Sequence, residues 1–138
     1  LFSLYEESLV HVLDVPEDYL VFLNPCLIFL SCETIMKKII EFDESDKNYG
    51  TTVKKIQNWI WDTNHNPITD INYKRLTTKE IEPWYQCAHC FHVFNKNNFI
   101  NDGLMLTDDL CLLEIPAEET IDIDEQYEYE FAKWKWEH

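Results

Sequence analysis

The sequence predicts a layered α/β fold, on three observations. Tyr19-Leu20-Val21-Phe22-Leu23 is a continuous apolar run closed by Asn24-Pro25, the pattern of a central strand buried on both faces of a mostly parallel sheet. Before it, Leu4, Leu9, Val12 and Leu13 recur at helical spacing up to a stop at Asp14-Val15-Pro16-Glu17-Asp18. After it, Ser31 is placed to cap a helix that carries Glu33 in its first turn and Ile35, Ile39 and Phe42 as a buried stripe. Helix, buried strand, helix is the order of an α/β layered domain.

The remaining elements follow in chain order. Residues 49–73 are rich in β-branched and aromatic residues, with turn signals at Asn64-His65-Asn66-Pro67, which predicts two strands joined as a hairpin-like excursion. Polar residues dominate 74–82. Residues 89–94 read as a strand, Asn95-Lys96-Asn97-Asn98 as a turn, and 111–115 as a further strand of the same sheet. Residues 121–123 read as a short extended segment, and 125–136 as a closing helix whose Glu128 and Glu130 precede Lys133 and Lys135 in the order the helix dipole favours. There is no internal repeat or low-complexity tract.

With 138 residues, 46% of them hydrophobic and 14% aromatic, the chain suits one domain over residues 1–138 with a genuine core. Its formal charge of −15 argues against nucleic acid or an anionic membrane as the partner, since both would repel it. The longest apolar stretch is interrupted at Asn24-Pro25 and is too short to span a bilayer. Five cysteines, at 26, 32, 87, 90 and 111, are an odd number, and three lie in apolar or strand-like segments. This predicts a reduced, cytoplasmic protein without a signal peptide.

Two constellations could carry chemistry. In Thr120-Ile121-Asp122-Ile123-Asp124-Glu125, strand alternation sends Asp122 and Asp124 to one face and the isoleucines to the core. Two carboxylates held together suit a hard, oxygen-ligated cation such as magnesium, with phosphate oxygens and water completing the shell. The competing reading is a solvated acidic strand end with Asp124 as a helix N-cap. The second constellation, Cys87-Ala88-His89-Cys90-Phe91-His92, invites zinc. No second ligand pair is present, however, and alternation sends Cys87 and His89 to one face and Cys90 and His92 to the other. A buried strand with one polar histidine edge is the preferred reading.

Ile121-Asp122-Ile123-Asp124, followed by acidic residues and an apolar position before Ala132, resembles the Ile-Asp-Ile-Asp signature near the C-terminus of CMP-sialic acid synthetases and related acylneuraminate cytidylyltransferases. The resemblance implies a three-layer, Rossmann-like nucleotidyltransferase sheet. It also implies that Asp122 and Asp124 are the catalytic and metal-binding pair, holding the magnesium that bridges the CTP phosphates and the acceptor sugar. Glu128 stands where the family has a third acidic residue. Asn24-Pro25 occupies the place of a Gln-Pro segment that contacts the acceptor, but Cys26, Leu27 and Leu30 replace the family's hydroxyl residues and arginine.

Trp59-Ile60-Trp61-Asp62, Thr77-Thr78-Lys79-Glu80-Ile81-Glu82-Pro83 and the strand from Cys87 run parallel to one branch of the family. There the excursion contributes to a homodimer contact, for which Trp59 and Trp61 would be the apolar anchors here, and the strand after the proline carries a small residue facing the sugar, which puts His89 near the substrate. Arg75 and Lys79 lie where basic residues can meet a sugar-acid carboxylate, alongside Asn24 and His89 as substrate-binding candidates. The family's Gly-, Arg- and Lys-containing triphosphate loop has no counterpart, since the only glycines are Gly50 and Gly103. The chain starts at Leu1 and the match starts in mid-domain, so the N-terminal nucleotide-binding unit is expected to lie outside this sequence.

The function implied is magnesium-dependent transfer of CMP from CTP to a nonulosonate-type sugar acid, a reaction for which this segment alone lacks the full machinery. The alternatives are a noncatalytic binding and dimerisation module on a degenerate cytidylyltransferase fold, and a zinc-stabilised acidic adaptor.

Overall fold

The computed structural model describes residues 18–138, so the helix predicted around residues 4–13 lies outside the described part. The order is β1 (Tyr19–Leu23), α1 (Cys32–Asp43), β2 (Tyr49–Ile56), β3 (Trp84–Asn95), α2 (Lys96–Asp102), β4 (Cys111–Glu114), a 3₁₀ turn (Ala117–Glu119) and α3 (Gln126–Glu137). The strands form one sheet in the order β1-β3-β2-β4.

β3 runs antiparallel to both its neighbours, and β4 pairs parallel with β2. Strands β1, β2 and β4 therefore point one way, with the long β3 inserted against them between β1 and β2. The mostly parallel sheet predicted from the sequence is a mixed one. Apolar runs report burial, and strand direction leaves no mark on them.

Two further expectations change. β1 is an edge strand among the described residues, with Tyr19, Val21, Phe22 and Leu23 all exposed, where the apolar run had predicted a central one. The hairpin expected over residues 49–73 is absent. Its first half is β2, a strand inside the sheet whose partners are β3 and β4, and its second half keeps only the turn Asp62–Asn66 and a bridge between Trp61 and Pro67.

Alternation places Gly50, Val93 and Leu113 on one face of the sheet and Tyr49, His92 and Phe94 on the other. Helix α1 covers the first. Ser31 caps it as expected, its hydroxyl accepting from the Thr34 N–H, and Phe42 is buried at its far end. Gly50 is needed there, because a Cβ would sit 2.8 Å from Phe42 Cδ2. On the second face α2 brings Phe99 to 5.3 Å from the Phe94 ring. The sequence reads this element as a turn. In the structure Asn95 is its N-cap, accepting from the Asn98 N–H, and Gly103 ends it with φ +68°, a left-handed conformation that glycine adopts without strain. Leu27, Phe42, Cys90, Phe91, Val93, Leu113 and Ile115 make one continuous core.

β3 is interrupted by a large bulge. Thr51 pairs with His92 and Val53 pairs with Cys87, so residues 88–91 stand against Thr52 alone. The fully buried Thr52 hydroxyl donates to the Phe91 carbonyl and accepts from the N–H groups of Cys90 and Phe91, replacing the missing ladder bonds. His89 sits at the apex with φ +51°.

Candidate functional site

Asn24 leaves the end of β1, and two contacts fix it. Its N–H donates to the Cys90 carbonyl of the bulge at 3.0 Å, and its Oδ1 accepts from the Cys26 N–H at 2.9 Å, closing a turn around Pro25. With Oδ1 engaged, the amide Nδ2 points across to Asp122 Oδ2, a long contact of 3.4 Å between residues 98 positions apart. Asp122 Oδ1 is buried and has no hydrogen-bond partner. A buried carboxylate oxygen left open in this way is an acceptor in want of a cation or a donor.

The segment carrying Asp122 is tied down on both sides. Glu119 accepts from the Ser31 N–H and from Thr34 Oγ1, each at 2.8 Å, which locks the 3₁₀ turn to the start of α1. Burial alone would raise this carboxyl, but those hydrogen bonds outweigh it and hold it below the usual range. Beyond Asp122, Glu128 accepts from the N–H groups of Asp124 and Glu125 and from the Tyr127 hydroxyl, and these bonds keep its carboxyl ionised below its ordinary value.

Glu128, which stands at the third acidic position of the family pattern, is therefore used to cap α3. The N-cap itself is Glu125, one residue later than the Asp124 of the competing reading. Helix α3 buries Ala132, and its Lys135 lies over the Phe29 ring of the loop before α1 and donates to the Glu118 carbonyl.

Between these elements opens a hollow of about 510 Å³ lined by Lys54, Thr120, Ile121, Asp122, Tyr127 and Phe131, with Ala117 and Glu128 at its margin. Its size falls in the range of small-molecule sites.

The structure brings Asn24 and Asp122 together and leaves the other candidates elsewhere. Asp124 is exposed and does not line the hollow. Arg75 pairs with Glu80 inside the excursion, Lys79 is exposed in the same loop, and neither reaches the hollow. His89 projects from the bulge with its ring 5.8 Å from that of His92. The bulge breaks the alternation read from the sequence, so His89 and His92 share a side. Burial, and then the charge of His89, pushes His92 below its ordinary pKa, and Thr51 Oγ1 lies 2.9 Å from its Nδ1.

All five cysteines are free thiols. Burial pushes Cys90 up to about 11, and the neighbouring charges of Asp122, Cys87 and Glu119 act in the same direction. Among the described residues no group of three or more His, Cys, Asp or Glu side chains is disposed to hold a metal ion, and no helix is long and apolar enough to cross a membrane.

Sequence reasoning missed Lys54, Tyr127 and Phe131. Only Lys54 left a signal, as one of two adjacent lysines, Lys54 and Lys55, near the end of the otherwise uncharged strand run 49–56.

The mixed sheet with its crossover helix α1 and flanking α3 is an α/β fold. The chain resembles the crystal structure of 4-diphosphocytidyl-2C-methyl-D-erythritol synthase from Anaerococcus prevotii, with a TM-score of 0.64 and 14% identity over 96% of this chain. The match spans 65% of that protein's chain, just under two thirds of its length. At this identity the likeness establishes a shared fold. No family model and no curated protein sequence matches the chain.

Proposed function

We propose that the chain is the acceptor-binding part of a nucleotidyltransferase that moves CMP from CTP to the anomeric hydroxyl of a nonulosonate-type sugar acid and releases pyrophosphate. The observation that carries this reading is the apposition of Asn24 and Asp122, residues remote in sequence, on a fold shared with a protein named as a diphosphocytidyl-erythritol synthase.

The residues present fit magnesium in the manner usual for that ion, which takes one or two carboxylates and completes its shell with substrate phosphates and water. Asp122 offers a buried oxygen with no partner, whereas Asp124, exposed outside the hollow, would have to turn inward to serve as the second carboxylate. When bound, the ion supplies neutralisation of phosphate charge. The protein's own part is positioning. The Cys26 N–H and the Cys90 carbonyl hold Asn24, and Asn24 holds one oxygen of Asp122, while the other is buried without a partner. Ile121 and Phe131 give one side of the hollow an apolar wall.

The homodimer belongs to the same proposal. The excursion leaves Trp61, Tyr73 and Leu76 at 49%, 77% and 86% exposure, as a surface awaiting a second copy would.

The test is pyrophosphate release with CTP, magnesium and a panel of sugar acids, using protein that includes the triphosphate loop. Asp122→Asn and Asp124→Asn should each lose on the order of a hundredfold or more in turnover, with little change in thermal stability. Asn variants that turn over like the parent end the proposal. A second reading, the noncatalytic module, is favoured by Leu27, which is packed into the core at 5% exposure where the family carries a hydroxyl residue. It predicts sugar-acid binding without pyrophosphate release.

A further inference from the structure

The hollow beside Asp122 is acidic on one side and apolar on another, and its single cationic lining residue is Lys54. Lys54 lies on β2 just past the point where β3 bulges, is paired with Gln86, and is partly buried. No hydrogen bond or ion pair engages its ammonium group among the described residues, whereas Lys38, Lys47, Arg75 and Lys133 all have carboxylate partners. The chain has 26 acidic and 11 basic residues, and two of the acidic ones, Asp122 and Glu128, line the same hollow. Lys54 closes an ion pair with neither. Glu128 is occupied by the N–H groups of Asp124 and Glu125 and by the Tyr127 hydroxyl, so it does not compete for the lysine.

Resting on the function proposed above, we infer that Lys54 is the anion-binding residue of the acceptor site. The acceptor is thus an anion, a carboxylate or a phosphate monoester, whose apolar flank lies against Ile121 and Phe131. Lys54 replaces Arg75 and Lys79 in the role the sequence had given them. Arg75 is neutralised by Glu80 at 2.9 Å, and neither residue lines the hollow.

The experiment is a titration of the ¹⁵N-labelled 138-residue chain, followed by amide chemical shifts, with N-acetylneuraminate, its methyl ester and inorganic phosphate in separate arms. Lys54→Gln, Lys54→Arg, Arg75→Gln and Lys79→Gln are run beside the parent, each first shown to keep its dispersed spectrum. The expected result is saturable shifts at Lys54, Thr120, Ile121 and Phe131 with the sugar acid and none with the ester. Affinity should fall about tenfold or more in Lys54→Gln and be kept in Lys54→Arg and both loop variants.

Phosphate saturating the same amides with the same Lys54 dependence, in place of the sugar acid, supports the anion site and assigns a phosphorylated acceptor, which removes the sugar acid from the proposed function. Unchanged binding in Lys54→Gln, loss of binding in Arg75→Gln or Lys79→Gln, or no saturable shift in the hollow with either anion overturns the inference. Lys54-dependent binding of the sugar acid combined with no pyrophosphate release in the complete protein counts against catalysis alone.

Discussion

Replacing Thr52 with Val keeps the side chain's shape and removes one oxygen, so it isolates what the hydroxyl does in the bulge. That oxygen is fully buried and serves three backbone groups, the N–H of Cys90 at 2.9 Å, the N–H of Phe91 at 3.1 Å and the carbonyl of Phe91 at 3.1 Å. Each buried group left without a partner costs roughly 1–3 kcal/mol. Three such groups, with partial relaxation of the loop, give a loss of about 3 kcal/mol, a large share of the roughly 5–15 kcal/mol by which domains are stable.

Thr52→Ser is the control. It keeps the oxygen and loses one methyl, for about 1 kcal/mol. Urea denaturation followed by tryptophan fluorescence reads both, with the slope checked for constancy so that the midpoint shift reports stability. A Thr52→Val protein within about 0.5 kcal/mol of the parent, or one more stable than Thr52→Ser, would refute the account of the bulge as held by this hydroxyl.

Gly50→Ala should destabilise by about 1–3 kcal/mol in the same assay, because the new methyl meets the buried Phe42 ring at 2.8 Å and the ring has little room to yield. Stability should fall as pH drops below 6.5, because His92 is held below that value in the folded state and the unfolded chain binds the proton first. The loss levels off once the folded pKa is passed, and His92→Asn should remove this component of the pH profile. Mass-mapped alkylation of the native protein at pH 8 should label the exposed Cys32 quickly and Cys90 slowest of the five, since Cys90 is fully buried with its thiol pushed up to about 11; fast labelling of Cys90 would contradict its placement.

Much of this molecule can be read from its residues, and the failures have physical causes. The cap at Ser31, the strand at residues 111–115 and the closing helix each carry local signals, and each was found close to its predicted bounds. Asn95 was legible as a polar breaker, but asparagine favours turns and N-caps for the same reason, its side-chain oxygen accepting from a backbone N–H two or three residues on, and the cap prevailed. The position of β1 in the sheet was not legible, because an apolar run records the tendency to be buried and says nothing of what does the burying. The bulge was invisible for a different reason. Any reading of faces assumes strict alternation, and Thr52 looks like any other β-branched strand residue.

The bulge is also what links the fold to the site. A regular ladder would continue the Thr51–His92 register through β3 and satisfy its backbone without help from a side chain. The observed register instead shifts between Thr51 and Val53 and leaves residues 88–91 to arch over Thr52. The arch includes the Cys90 carbonyl that receives the Asn24 N–H, and through Asn24 it sets the amide that meets Asp122. Its apex holds His89 at φ +51°, a conformation that costs a non-glycine residue about 1 kcal/mol or more. The chain thus carries a strained apex and dependence on one buried hydroxyl in the segment that positions Asn24. Thr52→Val should accordingly displace the Asn24 side-chain amide resonances as well as lowering stability, while Gly50→Ala, which strains the sheet against α1, should lower stability and leave those resonances in place.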